Sequence, residues 1–304
     1  MKDIHKRITE LKKKHQAIIL AHNYEPPEIQ EIADITGDSL GLSVDAAKLE
    51  NPVIVFCGVR FMAESAAILA PGKKVILPQP DCGCGLADMA DAAALREKRR
   101  QHPDAVVVTY VNSSAAVKAE SDICCTSGNA VNVIKSLPPN KEIIFVPDRN
   151  LGAYITKVTG RPMILWDGIC PIHDAITAED VIRARENHPE ALVIAHPECR
   201  AEVSELADAV LSTGGMSAYV AGSGTREFII VTEEGMIHPL SQAHPDRIFH
   251  PVKKGGMICP DMKMISLVDL ANALETLAPV ITVPEGIADR ARLALERMLA
   301  VPRN

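Results

Sequence analysis

The sequence predicts an α/β fold of three similar αβα units, related by pseudo-threefold symmetry, with small parallel sheets around a central cluster site. Three observations support this prediction. Buried-strand patterns recur at nearly constant spacing, a charged amphipathic helix precedes the first strand of each unit, and one cysteine follows the last strand of each unit. Chains that alternate helix and strand form parallel sheets, because each crossover helix returns the chain to the end of the sheet at which the previous strand began.

The first strand of each unit is a short apolar run rich in valine, isoleucine and leucine, a pattern typical of buried parallel strands. The three runs begin 88 and 86 residues apart, at 17–24, 105–112 and 191–198. Each run ends in two polar residues that are two positions apart and therefore point to the same side of an extended segment. These pairs are His22 with Tyr24, Tyr110 with Asn112, and His196 with Glu198.

The elements around each first strand follow the same order. The preceding helices are expected at 4–14, 93–101 and 178–187, and the last two lead into His-Pro-acid segments at 102–104 and 188–190. After the first strand, each unit has a hydroxyl residue closely followed by glycine and then a helical pattern. These hydroxyl residues are Ser39, Ser127 and Thr213. Third strands are expected at 53–56, 142–146 and 227–231, and fourth strands at 74–77, 162–165 and 247–250.

The chain is therefore predicted to contain three copies of one unit of about 87 residues. We expect these units at 1–87, 88–174 and 175–304, with a C-terminal helix at 285–299 that packs back on the first unit. Ligands of parallel sheets bind at the carboxyl ends of the strands, where all the polar residues named above fall. Pseudo-threefold packing would direct these ends towards one cavity.

The composition argues against several classes of protein. With 304 residues, of which 47% are apolar, the chain can bury a large core, and its net charge of −7 argues against binding to nucleic acid or anionic membranes. No apolar run approaches the ~18–20 residues that span a bilayer, and the first fifteen residues are charged and helix-like, unlike a signal peptide. We therefore expect a cytoplasmic protein whose eight cysteines are thiols or metal ligands rather than disulfides.

Three cysteines occupy equivalent places after the last strand of each unit. They are Cys84, Cys170 and Cys259, separated by 86 and 89 residues. Zinc usually takes four ligands in short local pairs, so single thiols from three distant units favour an iron–sulfur cluster with one iron open to substrate. The open iron would act as a Lewis acid. The alternative is three buried structural cysteines, since free cysteine is commonly buried.

Other residues near these cysteines are harder to assign. Cys82 competes with Cys84, which is favoured because it lies in a Gly-Cys-x-Leu-Ala-Asp turn. His173 follows Cys170 by three residues and is expected to support that ligand rather than bind the metal. Lys263 could add positive charge to the site or be a solvated surface lysine. The cysteines without a comparable turn are Cys57, Cys124, Cys125 and Cys199.

The polar residues at the strand ends suggest chemistry on an anionic small molecule. A hydroxyl before glycine at the start of a helix, as at Ser39, Ser127 and Thr213, can hold phosphate or carboxylate, although plain helix capping is the alternative. His22, His196 and Glu198 are candidate proton-transfer groups, but each histidine could instead be structural. Residues that can donate hydrogen bonds to substrate oxygens are Tyr24, Tyr110 and Asn112.

Together these motifs resemble the quinolinate synthase family, the A protein of de novo NAD biosynthesis. The matching segments run in order over nearly the whole chain, and as a set they are highly specific. They lie at 22–25, 37–39, 83–88, 110–112, 126–130, 147–151, 168–173, 196–199, 212–216 and 259–263.

The resemblance implies a transferase of pyridine nucleotide biosynthesis that condenses iminosuccinate (iminoaspartate) with dihydroxyacetone phosphate to quinolinate, releasing two waters and phosphate. It implies a 4Fe-4S cluster bound by Cys84, Cys170 and Cys259, whose free iron assists dehydration. An L-aspartate oxidase or aspartate dehydrogenase would supply iminosuccinate, and no nucleic acid or membrane is expected as a partner. The implied catalytic residues are Tyr24, His22, His196 and Glu198. The implied substrate-binding residues are His22, Ser39, Tyr110, Val111, Asn112, Ser127, His196, Pro197, Glu198 and Thr213.

Two other interpretations remain open at this point. Another three-cysteine cluster enzyme of the same architecture, such as hydroxymethylbutenyl diphosphate reductase, would need electron delivery and a diphosphate pocket. A non-enzymatic iron–sulfur redox sensor or electron carrier would have no use for histidine, tyrosine and glutamate at the strand ends, and a carrier usually ligates every iron.

Overall fold

The computed structural model describes residues 2–303 and contains three four-stranded sheets in which every strand pair is parallel. The strands are β1 (Ala17–His22), β2 (Ile35–Gly37), β3 (Val53–Cys57), β4 (Lys74–Ile76), β5 (Val106–Tyr110), β6 (Ile123–Cys125), β7 (Ile143–Val146), β8 (Ile164–Leu165), β9 (Leu192–Ala195), β10 (Ala209–Val210), β11 (Glu227–Val231) and β12 (Ile248–Pro251). The sheet orders are β2-β1-β3-β4, β6-β5-β7-β8 and β10-β9-β11-β12. The predicted α/β fold of three parallel-sheet units is confirmed.

Helices connect the strands throughout. They are α1 (Lys2–Lys14), α2 (Pro27–Ile32), α3 (Ser39–Lys48), α4 (Arg60–Leu69), α5 (Ala92–Gln101), α6 (Ala115–Lys118), α7 (Ala130–Ser136), α8 (Arg149–Thr159), α9 (Pro171–Asp174), α10 (Ala178–Asn187), α11 (Ala201–Leu206), α12 (Thr213–Gly222), α13 (Ile237–Ala243), α14 (Leu267–Thr276) and α15 (Glu285–Leu299). Among residues 2–303, none of these helices combines the length and the apolar character needed to cross a membrane.

The first strand of each unit is an interior strand, bordered by the second and third strands. Equivalent positions of these strands pair with the third strand of their own sheet: Ile18 with Ile54, Val106 with Ile143, and Leu192 with Phe228. Both faces of these strands are covered, so successive residues such as Val107 and Val108 are completely buried. This burial explains the continuous apolar runs, because alternation appears only where one face of a sheet meets water.

The strands differ from prediction mainly in length. The first strand of each unit ends before or within its polar pair, because the chain turns there. In the first unit, for example, the backbone N–H of Tyr24 donates to His22 Nδ1 at 3.2 Å. The backbone N–H of Glu198 makes the same bond to His196 Nδ1 at 3.4 Å. The strand expected at 162–165 is shorter in the structure and consists of β8 (Ile164–Leu165), since Pro162 has no N–H to donate to a neighbouring strand.

Helices α5 and α10 occupy equivalent places in the second and third units, and their sequences explain both of their ends. The side chain of Asp91 caps α5 by accepting from the N–H groups of Ala93 and Ala94, and a reciprocal Thr177–Asp180 capping box begins α10. Both helices stop at a histidine that precedes proline, because proline disfavours helical geometry in the residue before it.

The C-terminal helix α15 packs against α4 of the first unit and against α6 and β6 of the second. The apolar face that makes these contacts has no exposed surface at Ala291, Ala294, Leu295 and Met298. Beyond the helix, the side-chain amide of Asn129 donates to the carbonyls of Met298 and Val301 at 3.1 and 3.2 Å. These bonds direct the tail towards the centre of the molecule. The division into units at 87/88 and 174/175 stays a prediction.

Candidate functional site

The carboxyl ends of the three sheets meet at one cavity with a volume of about 320 Å³. Most of the site residues predicted from the sequence line it. They are His22, Tyr24, Ser39, Tyr110, Asn112, Ser127, His196, Glu198 and Thr213, together with Cys84, Cys170 and Cys259. Val111 and Pro197 are buried beside these residues but do not line the cavity.

The three cavity-lining thiols come from three different units, and neighbouring elements fix their positions. The N–H of Gly83 donates to Asp261 Oδ1 at 3.0 Å, which links the turn of Cys84 to the turn of Cys259. The N–H of Cys259 in turn donates to Glu233 Oε1 at 3.0 Å. Cys82 is completely buried and does not line the cavity. Cys84, rather than Cys82, therefore faces the cavity with Cys170 and Cys259.

The carboxylate of Glu198 is the centre of a buried polar network. Tyr110 donates its hydroxyl to Glu198 Oε1 at 2.6 Å, and Asn112 Nδ2 lies 3.5 Å from the same oxygen. His173 Nδ1 lies 2.7 Å from Glu198 Oε2. Burial opposes ionisation of Glu198, but the adjacent imidazoles of His173 and His196 outweigh it and lower the pKa of this carboxyl. Glu198 is therefore a carboxylate at neutral pH, able to accept a proton.

His173 connects this carboxylate to the metal-ligand candidate Cys170 and to the opposite wall. Its Nδ1 lies 3.2 Å from Cys170 Sγ, and its Nε2 lies 2.8 Å from Thr232 Oγ1. The same Thr232 oxygen lies 2.6 Å from the hydroxyl of Tyr24. A continuous chain of hydrogen bonds, which we call the proton chain, thus runs through five residues. They are Tyr24, Thr232, His173, Glu198 and Tyr110.

Burial sets the protonation of the remaining proton-transfer candidates. It lowers the pKa of His22 to about 4 and that of His196 to about 3, so both imidazoles are neutral at pH 7. It also raises the pKa of Tyr24 and of Tyr110, with the charge of Glu198 acting in the same direction. Around Glu198 the cavity therefore offers two neutral imidazoles and two protonated phenols, and the acidic residues Asp38, Glu233 and Asp261 also line its wall.

In the first and third units the residue before the predicted hydroxyl caps the following helix, whereas in the second unit the helix begins later, at Ala130, and its N-cap residue Asn129 makes no side-chain cap bond. Asp38 accepts from the N–H of Gly41 at 2.8 Å, and Ser212 accepts from that of Gly215 at 3.2 Å. In the second unit the N–H of Gly128 donates to Thr126 Oγ1 at 3.1 Å. The next residue in each turn has its side chain on the cavity wall: Ser39, Ser127 and Thr213. Helix capping therefore does not account for these three hydroxyls.

The comparisons with known proteins show which family has this site. A family model described as Quinolinate synthetase A protein matches residues 6–300.

The chain belongs to this family.

Relatives within the family are similar over almost their full length. The quinolinate synthase of Pelobacter propionicus is 55% identical over 302 residues, which cover 99% of each chain. That of Desulforudis audaxviator is 55% identical over 294 residues, 97% of each chain. The quinolinate synthase of Methanosarcina barkeri is 54% identical over 295 residues, covering 97% of this chain and 96% of the relative. The resemblance seen in the sequence is confirmed, and the family disfavours both the diphosphate reductase and the redox sensor.

The donor set fits the three-cysteine cluster that the family resemblance implies. Among residues 2–303, Cys84, Cys170 and Cys259 are the cysteines that line the cavity, one per unit. Burial raises the pKa of Cys84 to about 12 and also raises the pKa of Cys170 and Cys259, so a bound cation is required to make them thiolates. Three thiolates leave one iron of a cubane cluster without a protein ligand.

Several residues near the site escaped the sequence reasoning. Thr232 and Glu233 directly follow β11, so the strand-end rule that found the other residues could have found them too. Lys263, left open from the sequence, pairs with Glu233 at 2.8 Å and donates to the carbonyl of Tyr24, so it fixes the turn after β1. No sequence pattern pointed to Arg303, because it lies in the C-terminal tail and only the folded chain brings it to Asp38.

Proposed function

We propose that this chain condenses iminosuccinate with dihydroxyacetone phosphate to form quinolinate, using a 4Fe-4S cluster bound by Cys84, Cys170 and Cys259. The observation that carries the proposal is the meeting, in one cavity, of three thiols from three units with the proton chain and the three hydroxyl turns. This combination provides a metal site, acid–base groups and anion-binding donors, which the proposed reaction needs together.

Binding of two anionic substrates by an acidic protein requires local hydrogen-bond donors. The hydroxyls of Ser39, Ser127 and Thr213 lie at the cavity wall beside turns whose backbone N–H groups favour negative charge. Asn112 Oδ1 is buried and has no hydrogen-bond partner within residues 2–303. An unsatisfied buried acceptor costs about 1–3 kcal/mol, so a substrate N–H or O–H would be bound favourably there.

When bound, the cluster supplies an iron with an open coordination position, which acts as a Lewis acid in the loss of water. The protein residues hold and move the protons. The Glu198 carboxylate accepts a proton from a substrate carbon, and Tyr110 and His173 stabilise it in its charged form through bonds of 2.6 and 2.7 Å. The protonated phenol of Tyr24 donates towards the departing hydroxyl and recovers its proton through Thr232.

The remaining parts of the proposal follow from this reaction. The protein would work in de novo NAD biosynthesis in the cytoplasm. An L-aspartate oxidase or aspartate dehydrogenase would supply iminosuccinate, because this imine is unstable in water and must be made close to its point of use.

The decisive experiment measures quinolinate formed from iminosuccinate and dihydroxyacetone phosphate by protein purified without oxygen. We expect turnover, four irons per cluster-loaded chain, and a visible spectrum that changes when quinolinate is added. The substitution Glu198→Gln should lower turnover by about 10²- to 10⁴-fold and leave the iron content unchanged. Glu205→Gln is the matched control, because Glu205 pairs with Lys157 on the surface of the third unit.

Each part of the proposal can fail separately. Normal turnover of Glu198→Gln would remove this carboxylate from the mechanism. A colourless protein that contains zinc and makes no quinolinate would overturn the proposed function, and quinolinate formation without iron would overturn the cluster.

A further inference from the structure

A second group of possible metal ligands lies in the third unit, towards the end of the sheet that faces away from the cavity. His188 ends α10 and precedes β9, Glu227 is the first residue of β11, and His250 lies on the edge strand β12. The cavity residues lie at the carboxyl ends of these strands, whereas His188 and Glu227 lie at the amino ends. The group is therefore separate from the proposed cluster site, and the proposed reaction has no use for it.

The three side chains lie close together. The imidazole rings of His188 and His250 are stacked, with centroids 3.5 Å apart and planes inclined by 15°. His250 Nε2 lies 3.4 Å from Glu227 Oε2. One ligand atom from each residue can be chosen such that all three lie within 4.8 Å of one another. The side chains of His250 and Glu227 are 20% and 36% exposed, so solvent reaches the group.

We propose that His188, Glu227 and His250 bind a Zn²⁺ ion, with water as the fourth ligand. Two imidazoles and one carboxylate are a ligand set that zinc uses when one position stays open to water. Ligand atoms about 2.0–2.2 Å from a tetrahedral ion lie roughly 3.4 Å apart. His250 Nε2 and Glu227 Oε2 already have this separation, and atoms within 4.8 Å of one another need to approach by no more than about 1.4 Å. A rotation of the partly exposed rings about their Cβ–Cγ bonds turns their lone pairs from parallel to convergent.

The second unit provides an internal comparison, because it contains two of the three ligands. His102 and Glu142 are the repeat equivalents of His188 and Glu227, and His102 Nδ1 lies 2.9 Å from Glu142 Oε2. Ile164 pairs with Ile144 in the same register in which His250 pairs with Ile229. Isoleucine therefore stands in the second unit where the third unit has its second histidine. The second and third units therefore share the histidine and the glutamate at these two positions, and of the two units only the third has the third ligand.

An ion at this site would join two segments that are distant in sequence. One is the connection from α10 to β9, and the other is β12, the edge strand whose chain continues to Cys259. Binding to the folded state alone stabilises it, so the ion would act as a clamp on the edge of the third sheet.

The test titrates Zn²⁺ into the cluster-loaded protein without oxygen, by calorimetry, with iron content measured before and after. We expect one Zn²⁺ per chain, no loss of iron, and a melting temperature raised by the ion. His250→Ile places the isoleucine of the second unit at this position and should weaken Zn²⁺ binding by more than about tenfold. Loss of a residue that only hydrogen-bonds to a metal ligand already lowers metal affinity by about 10- to 100-fold, and His250 would be a ligand itself. His102→Ala is the matched control and should bind Zn²⁺ as the unaltered protein does.

If His250→Ile folds poorly, Glu227→Gln is a second variant that keeps the shape of the side chain. It should also weaken Zn²⁺ binding. The proposal is overturned if the unaltered protein takes up no Zn²⁺, if His250→Ile binds it equally well, or if His102→Ala loses it.

Discussion

The guanidinium of Arg303 donates two hydrogen bonds to the carboxylate of Asp38, at 2.5 and 2.8 Å, across 265 residues of the chain. Burial opposes ionisation of Asp38, but these bonds outweigh it and lower the pKa of that carboxyl. The turn of the third unit at Gly214 packs against the same Asp38–Arg303 pair. A Cβ atom at Gly214 would lie 2.4 Å from Asp38 Oδ2 and 2.6 Å from Arg303 Nη1, so any larger residue there would force this pair of side chains to shift. Arg303 therefore joins the C-terminal tail to the turns that carry Ser39 and Thr213.

Loss of this arginine should weaken binding of the phosphate-bearing substrate. In Arg303→Gln we expect KM for dihydroxyacetone phosphate to rise by about three- to tenfold, since a half-exposed charge pair contributes on the order of 1 kcal/mol. The value of kcat should change little, because Arg303 does not line the cavity. Arg290→Gln is the control, as that guanidinium pairs with Glu120 at the surface. An unchanged KM in Arg303→Gln would show that the turns keep their shape without it.

Two neighbouring cysteines should differ sharply in their effect on the cluster. Cys84→Ser removes a thiol that lines the cavity, so we expect the variant to lose iron and visible colour. Cys82→Ser changes a completely buried thiol outside the cavity wall and should keep both. Iron analysis after anaerobic reconstitution distinguishes them. A colourless Cys82→Ser protein beside a brown Cys84→Ser protein would reverse the assignment of the ligand.

The hydroxyl of Thr232 should matter for turnover more than for substrate affinity. Thr232→Val keeps the shape of the side chain but breaks the proton chain between Tyr24 and His173. A buried hydrogen-bonding group left without its partner costs about 1–3 kcal/mol, so kcat should fall by about 10- to 100-fold. Steady-state kinetics would measure this, and Thr232→Ser should restore activity.

Thr109→Val is the matched control for this substitution. Thr109 is also completely buried, but its hydroxyl bonds with Ser121 at 2.6 Å, away from the cavity wall. A comparable fall in kcat in Thr109→Val would mean that loss of a buried hydroxyl, rather than of the proton chain, lowers activity.

The buried histidines should make the stability of the fold depend on pH. Burial lowers the pKa of His196 from 6.5 to about 3, so on acidification the unfolded chain binds a proton before the folded protein does. The stability due to the neutral imidazole is therefore complete above pH 6.5 and is lost as the pH falls below it. The expected slope is about 1.4 kcal/mol per pH unit.

Denaturant unfolding at several pH values between 7.5 and 5 would measure this contribution. His196→Gln cannot take up the proton, so its free energy of unfolding should fall less steeply than that of the unaltered protein. Parallel curves for the two proteins would contradict the burial of a neutral imidazole at this position.

The parts of the structure that could be predicted from sequence are those encoded locally or repeated. Continuous apolar runs identify interior strands such as β5, and the constant offsets align Cys84, Cys170 and Cys259 because equivalent positions of a repeat occupy equivalent places. The strand-end rule then identifies the lining of the cavity. The proton chain could not be predicted in this way, since Thr232 and Glu198 belong to it through contacts between units. Arg303 is the extreme case, because its tail follows no repeat.

The cavity also has a consequence for how a reactant can be oriented. Tyr24, Asn112 and Glu198 occupy equivalent positions of the repeat, yet they present a phenol, an amide and a carboxylate. A rotation by one third of a turn about the shared axis would leave the sheets nearly unchanged but would exchange a proton donor for a negative charge. A molecule bound on that axis therefore meets three different walls, and only one of its three rotational settings matches all of them.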